Sequence, residues 1–150
     1  MPKAEAWTLV DASNLILGRM ASVIAKRLLN GETLVILNAE KALVSGKKRS
    51  KTRELKEFLE ISGPGSPKYG PIHLRRPDRI LRRTVRGMLP GHRARGKVAY
   101  KKLRVYIGVP EEYKDKPVGT LHEATARPRG IYMTLGELAQ EIGWRPVGER

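Results

Sequence analysis

The first forty residues contain two β-type apolar runs on either side of a helical one. Residues 6–11 (AWTLVD) form an apolar run that ends at a turn, and residues 33–37 (TLVIL) form a second, β-rich run. Both patterns predict buried strands. Between them, residues 17–28 carry apolar side chains at helical spacing, and Asn30-Gly31 supplies a helix stop. Strand, amphipathic helix and strand form a βαβ unit, which indicates a parallel sheet.

Further helices and one strand are predicted along the rest of the chain. The pattern indicates a second helix from Lys47, a loop over 62–71, a strand over 103–107, and a last helix that opens with a capping box at 134–137. The inner face of the second helix is predicted to contain Leu55, Phe58, Leu59 and Ser62.

A third helix, opened by Pro77 and Asp78, has two opposite faces. At about 100° per residue, its apolar stripe contains Ile80, Leu81, Thr84, Val85 and Met88. The opposite side carries four arginines, Arg79, Arg82, Arg83 and Arg86. Guanidinium groups without an acidic partner on their face repel one another, and a phosphate backbone relieves that repulsion.

Positive charge is concentrated in the middle of the chain. The sequence has 150 residues, with 30 Lys and Arg against 15 Asp and Glu, a net charge of +15. Residues 1–40 have four basic and four acidic side chains, residues 105–150 have six and seven, and residues 41–104 have twenty and four. A block of one sign implies a partner of the opposite sign. We expect one domain over 1–150, with a nucleic-acid-binding segment at 41–104 and a near-neutral extension at 109–150.

The predicted RNA-binding residues are the cations in and around the second and third helices. They are Lys47, Lys48, Arg49, Lys51, Arg53, Arg75, Arg76, Arg79, Arg82, Arg83, Arg86, Arg93, Arg95, Lys97, Lys101 and Lys102. Aromatic residues make up only 5% of the chain, so structured RNA, contacted through its phosphates, fits better than stacking as the main mode. The loop over 62–71 is either a plain connector or a place where backbone amides approach phosphates.

Several other chemistries are excluded or disfavoured. The chain has no cysteine, which excludes disulfides and thiol nucleophiles. No apolar run is long enough to span a bilayer and no signal peptide is evident, so we expect an intracellular protein. His73, His92 and His122 are too scattered for a metal motif and are expected at the surface or at an RNA edge. No cofactor, metal, membrane or small-molecule substrate is predicted.

One catalytic alternative lies at the predicted strand ends. Asp11, Asn38, Glu40 and Lys41 follow two adjacent parallel strands, where α/β proteins commonly bind ligands. The simpler interpretation is that Asp11 and Asn38 cap turns and that Lys41 begins the basic surface. A phosphate-ester enzyme is therefore the less favoured alternative, and the main prediction is that the protein is not an enzyme.

Several stretches of the chain share the pattern of one known family. They are Trp7 with Val10-Asp11-Ala12, then 17–21 (LGRMA), 38–41 (NAEK), 85–90 (VRGMLP), Gly96-Lys97 and 103–108 (LRVYIG). These stretches resemble the large-subunit ribosomal protein family L13. Residues 70–75 (GPIHLR) and 135–144 (LGELAQEIGW) resemble its archaeal/eukaryotic branch, and the bacterial His-Ser-Gly-Tyr-Pro-Gly-Gly stretch is replaced by 61–65 (ISGPG).

The resemblance implies a three-layer α/β/α fold around a small, mainly parallel sheet. It also implies a structural role in the cytoplasmic ribosome without catalysis: binding large-subunit rRNA, contacting neighbouring ribosomal proteins and helping the subunit to assemble. Residues 109–150 either pack on the domain or contact a neighbouring ribosomal protein. The alternative function is that of a non-ribosomal RNA- or DNA-binding protein.

Overall fold

Residues 7–146, which a computed structural model describes, form an α/β arrangement. The strands are β1 (Trp7–Asp11), β2 (Thr33–Leu37), β3 (Leu43–Ser45), β4 (Leu103–Val105), β5 (Val118–Gly119) and β6 (Tyr132–Thr134). The helices are α1 (Leu17–Leu29), α2 (Lys48–Glu60), α3 (Pro77–Met88), α4 (Ala94–Lys101) and α5 (Leu135–Glu141). A four-stranded parallel sheet has the order β4-β2-β1-β5, and β3 pairs antiparallel with β6.

The predicted βαβ unit forms the centre of the parallel sheet. β1 and β2 pair from Trp7 opposite Thr33 to Asp11 opposite Leu37. α1 connects them and is capped at Asn30, and Gly31 then adopts a φ of +99°, which glycine tolerates without strain. Every residue of β2 is buried, as expected for a strand inside a sheet that is covered on both faces.

The two faces of the sheet carry cores of different size. The larger core joins β1, β2 and β4 to buried residues of α1, α3, α4 and α5, among them Val10, Met20, Ile24, Ile36, Leu81, Val85, Ala99 and Leu138. The smaller core consists of Leu9, Val35, Leu37 and Tyr113, flanked by Trp7 and Tyr106. Tyr113 belongs to the 3-10 turn Glu111–Tyr113, so a single turn covers this face. The predicted α/β class and the mainly parallel sheet are confirmed.

Some local predictions differ from the structure. α2 ends at Glu60, so Ser62 lies beyond the helix and is exposed; its predicted inward position is wrong. Met88, predicted on the apolar stripe, is 43% exposed. It is the last residue of α3, and the next residue, Leu89, is buried in the core in its place. The strand predicted over 103–107 ends at Val105. Ala6, placed in the first predicted strand, lies outside the described residues.

The segment after β4 completes both sheets. β5 pairs with β1, and β6 pairs with β3. The capping box at the start of α5 is confirmed, because the Glu137 N–H donates to Thr134 Oγ1 and the Thr134 N–H donates to Glu137 Oε2, both at 3.2 Å. Leu135 and Leu138 of α5 are buried in the larger core.

Candidate nucleic-acid interface

α3 positions the arginines because its two faces have opposite environments. Pro77 occupies the first turn, and Asp78 lies at the positive end of the helix dipole. Leu81 and Val85 are completely buried against the larger core. Burying this side fixes the rotation of the helix, so the four arginines on the other side face solvent.

These four arginines line a cleft, which we call the arginine cleft. Its volume is about 420 Å³, and its lining consists of Ile72, Leu74, Arg79, Arg82, Arg83, Arg86 and Tyr100. Among the described residues, no acidic side chain lines it. Within residues 7–146, none of the four guanidinium groups forms an ion pair. The cleft therefore concentrates uncompensated positive charge in a concave surface.

Two of the four guanidinium groups are held in place by neutral partners. Arg83 Nη1 donates a 2.8 Å hydrogen bond to the Ile72 carbonyl, and its guanidinium lies over the Phe58 ring at 5.2 Å from the centroid. The Arg82 guanidinium lies over the Tyr100 ring at 4.7 Å. Stacking orients a planar guanidinium without neutralising it, so its N–H donors stay available to an anion.

A second cleft adjoins the arginine cleft and is lined in part by α4. Its volume is about 690 Å³, and it is lined by Arg86, Leu89, Gly91, His92, Gly96, Lys97, Tyr100 and Lys101. Arg86 and Tyr100 belong to both clefts. We call the two together the joined cleft. It brings together six of the predicted site residues, Arg79, Arg82, Arg83, Arg86, Lys97 and Lys101.

The close approach of α4 to the turn that follows α3 depends on Gly96. A Cβ atom at this position would lie 2.2 Å from the Pro90 carbonyl oxygen. Only glycine permits this approach, which sets Lys97 beside the end of α3. Sequence reasoning missed Tyr100 as a site residue and missed α4 as a helix. The sequence feature that could have drawn attention to this helix is the Gly96-Lys97 pair, which is one of the stretches that carry the family resemblance.

The cations of α2 lie elsewhere. Lys48, Arg49 and Arg53 line a separate groove beside α5. Several of them have acidic partners: Lys48 with Glu141 at 3.0 Å, Lys51 with Glu54 at 2.9 Å, and Arg53 with Glu57 at 3.7 Å. The hydrogen bond and charge of Glu141 raise the pKa of Lys48, and Lys48 lowers the pKa of Glu141. Lys47 and Arg49 are exposed, and neither is ion-paired within the described residues.

The remaining predicted cations flank the joined cleft without lining it. Arg95 Nη2 donates to the Leu29 carbonyl and Lys102 Nζ to the Gly31 carbonyl, both at 3.1 Å, so these two hold the end of α1. Arg76 forms an ion pair with Asp78 at 3.1 Å. Arg75 and Arg93 are exposed.

The polar residues at the strand ends close turns. Asp11 Oδ1 accepts hydrogen bonds from Asn38 Nδ2 at 3.0 Å and from the Ser13 hydroxyl at 2.8 Å, and Glu40 Oε2 accepts from the Gly108 N–H at 3.0 Å. Burial raises the pKa of Asp11, but hydrogen bonds from Asn38 and Ser13 and the charge of Lys41 together lower it below its ordinary value. These contacts match the turn-capping interpretation.

His73 is half-buried at the base of the loop between α2 and α3, and its place at an RNA edge stays a prediction. Its Nε2 lies 2.9 Å from the Ile61 carbonyl, and its ring meets Phe58 edge-on at 5.0 Å. Across residues 7–146, no group of three or more His, Asp or Glu side chains has a metal-binding arrangement. In the same part of the chain, no helix is both long and apolar enough to cross a membrane.

Comparison with known proteins assigns the family. The family model for ribosomal protein L13 matches residues 5–112, more than half of the chain. The chain belongs to the ribosomal protein L13 family. It is 46% identical over 148 residues to large ribosomal subunit protein uL13 of Methanopyrus kandleri, covering 96% of this chain and 91% of that one. It is 50% identical over 139 residues to uL13 of Methanosarcina barkeri, with coverage of 91% and 97%. Against uL13 of Archaeoglobus fulgidus it is 44% identical over 144 residues, with coverage of 94% and 90%.

Family membership decides several of the predictions. Proteins of the L13 family are structural, non-enzymatic components of the cytoplasmic ribosome. This protein is therefore a structural ribosomal protein, and the phosphate-ester alternative is wrong. Its relatives named above are archaeal, in agreement with the predicted archaeal-type branch.

Proposed function

We propose that this L13-family protein binds large-subunit rRNA through the joined cleft and thereby supports assembly of the large ribosomal subunit. One observation carries the proposal: six cations line two adjacent clefts that share Arg86 and Tyr100, and within residues 7–146 none of the six forms an ion pair. An isolated protein gains nothing from holding like charges together. Phosphate groups would convert this repulsion into attraction.

The held geometry of the arginines favours structured RNA as the ligand. Arg82 and Arg83 are oriented by Tyr100 and Phe58 before any ligand arrives, so little side-chain freedom is lost on binding. Six of the thirteen residues that line the joined cleft are charged donors, and such donors position a backbone without reading its sequence. Shape and phosphate spacing of a folded RNA would then determine the fit.

The other cations and the later part of the chain have supporting roles in this proposal. The basic segment 41–104 supplies the RNA contacts of a single domain, with Lys47 and Arg49 as a secondary contact on α2. The near-neutral extension from 109 completes the sheets and offers a surface suited to neighbouring ribosomal proteins.

Co-sedimentation combined with site-directed photocrosslinking tests the proposal. A photoreactive residue is placed at position 97 in the joined cleft, or at position 114, which belongs to the segment that covers the opposite face of the sheet. We expect both proteins to sediment with large subunits in moderate salt, with rRNA crosslinks from position 97 alone. A protein that stays in the free fractions contradicts the ribosomal role. Equal crosslinking from both positions contradicts the assignment of the cleft.

A further inference from the structure

The loop between α2 and α3 is closed twice at its base. Ile61 and His73, at its two ends, are joined by the 2.9 Å contact between the Ile61 carbonyl and His73 Nε2. Nearer the tip, Gly63 and Gly70 pass so closely that a Cβ on Gly70 would lie 2.9 Å from the Gly63 nitrogen. Neither glycine can be replaced by a larger residue without moving the backbone on the other side of the loop.

The tip of this loop is also restrained. Pro64 and Pro67 fix two φ angles, and Gly65 has a φ of +89°. Pro67–Tyr69 forms one turn of 3-10 helix, in which the Tyr69 N–H donates to the Ser66 carbonyl at 3.3 Å. The chain direction at Tyr69 is therefore set by the loop itself.

Tyr69 is presented to solvent by this closed loop. Its side chain is 84% exposed, more than any other large hydrophobic residue within 7–146. A large aromatic ring gains nothing for stability from such exposure. Lys68 lies beside the ring, with its ammonium 5.9 Å from the ring centroid.

The surroundings of Tyr69 select an anionic partner. Residues 61–77 contain Lys68, Arg75 and Arg76 and no acidic residue. The base of the loop is joined to the proposed RNA site, because Arg83 donates to the Ile72 carbonyl and Ile72 lines the arginine cleft. The base of the loop therefore adjoins the cleft in which the RNA is proposed to lie.

We propose that Tyr69 is a stacking platform for an unpaired nucleobase of the RNA bound in the joined cleft, with Lys68 beside the phosphate of the same nucleotide. The proposal rests on the proposed RNA-binding function and adds one base contact to it. Stacking on an exposed aromatic ring tolerates any base, and the preformed loop removes the cost of ordering the ring. The expected ligand is a bulged or looped-out nucleotide next to a duplex.

Two RNA hairpins test the proposal with the full chain. They are identical except that one carries a single bulged 2-aminopurine nucleotide and the other is fully paired. We expect the wild-type protein and Tyr69→Phe to bind the bulged hairpin about 5- to 150-fold more tightly, the range for one stacked base, and to quench its fluorescence. Tyr69→Ser should bind both hairpins equally without quenching. Ile131→Ser, which removes another exposed apolar side chain (61% exposed) outside this loop and outside the joined cleft, should behave as wild type.

The outcomes separate this inference from the function it rests on. If the wild-type protein binds neither hairpin and does not sediment with large subunits, the proposed function fails as well. If it binds both hairpins equally, or if Tyr69→Ser keeps the preference, only the stacking role is overturned. If Tyr69→Ser leaves hairpin binding unchanged but lowers co-sedimentation with subunits, the ring contacts a protein and the proposal is wrong.

Discussion

Replacing Arg82 and Arg86 together with alanine is expected to weaken RNA binding and to lower its dependence on salt. The two residues lie one turn apart on α3 and both line the arginine cleft. Neither is ion-paired in the described part of the chain, so the double variant leaves no acidic group without a partner. Stability should therefore change little, apart from the Arg82–Tyr100 contact, which is worth about 0.5–1 kcal/mol when exposed.

The size of the salt effect follows from counterion release. Each phosphate contact contributes about 0.7–0.9 to the slope of log K against log salt. Losing two contacts should lower the slope by about 1.4–1.8. The assay is a filter-binding titration of large-subunit rRNA at several KCl concentrations, with thermal unfolding to show that both proteins are folded.

A matched control uses two lysines near the opposite face of the sheet. Lys114 and Lys116 are exposed, and the Lys116 ammonium lies over Tyr113 at 5.0 Å, so Lys114→Ala with Lys116→Ala removes the same charge and one comparable ring contact. It also removes the 3.6 Å ion pair of Lys114 with Glu111, but a pair this exposed contributes little to stability. We expect the control to keep the wild-type slope. Equal slopes for the two double variants would mean that the arginine face does not contact RNA, and the reasoning from charge and concavity would be refuted.

Three further predictions concern the fold. Gly96→Ala should destabilise the protein by about 1–3 kcal/mol in thermal unfolding, because the new Cβ would meet the Pro90 carbonyl. The control Gly87→Ala has open space around it and should be neutral or stabilising in the same assay. Equal effects of the two substitutions would contradict the close contact at Gly96. Thr52→Val should raise the free energy of unfolding in urea by about 1–2 kcal/mol, since the buried Thr52 hydroxyl has no hydrogen-bond partner among residues 7–146. A loss of stability would mean that the hydroxyl does have a hydrogen-bond partner. Folding lowers the pKa of Asp11, so the charged carboxylate stabilises the folded state. This contribution is complete above the pKa of Asp11 in the unfolded chain, which is near 4. It disappears as the pH falls through the lower pKa of the folded state. Asp11→Asn should thus cost about 1–2 kcal/mol at pH 7 and less near pH 3, and the same cost at both pH values would contradict the role of the charge.

The elements that sequence reasoning predicted are those with a complete local signal. α3 shows both an apolar stripe and a charged face, and the βαβ unit has two β-rich runs and a Gly31 stop. α4 lacks such a signal, because its buried residues are Gly96 and Ala99, and these are too small to form a visible apolar stripe in the sequence. β5 and β6 have two and three residues, and only pairing with distant strands defines them.

The candidate site was predicted only in part for a related reason. Helical spacing placed Arg79, Arg82, Arg83 and Arg86 on one face, and the structure keeps them together. Spacing cannot show that Tyr100, from another helix, lies beneath Arg82, because that contact depends on how α3 and α4 pack. It also cannot separate cations with acidic partners, such as Lys48 with Glu141, from those without.

The pairing of β2 with β4 has a consequence for how the protein is made. Leu34 pairs with Leu103, so β2 can pair with β4 only after the basic segment 41–104 has been synthesised. Closing such a long loop costs little stability, since each doubling of length costs about 0.6 kcal/mol, but distant contacts slow folding. Until β4 emerges, the nascent chain exposes apolar residues of β1 and β2. The cations of the basic segment give such incomplete chains a high positive charge, so we expect them to repel one another and not to associate.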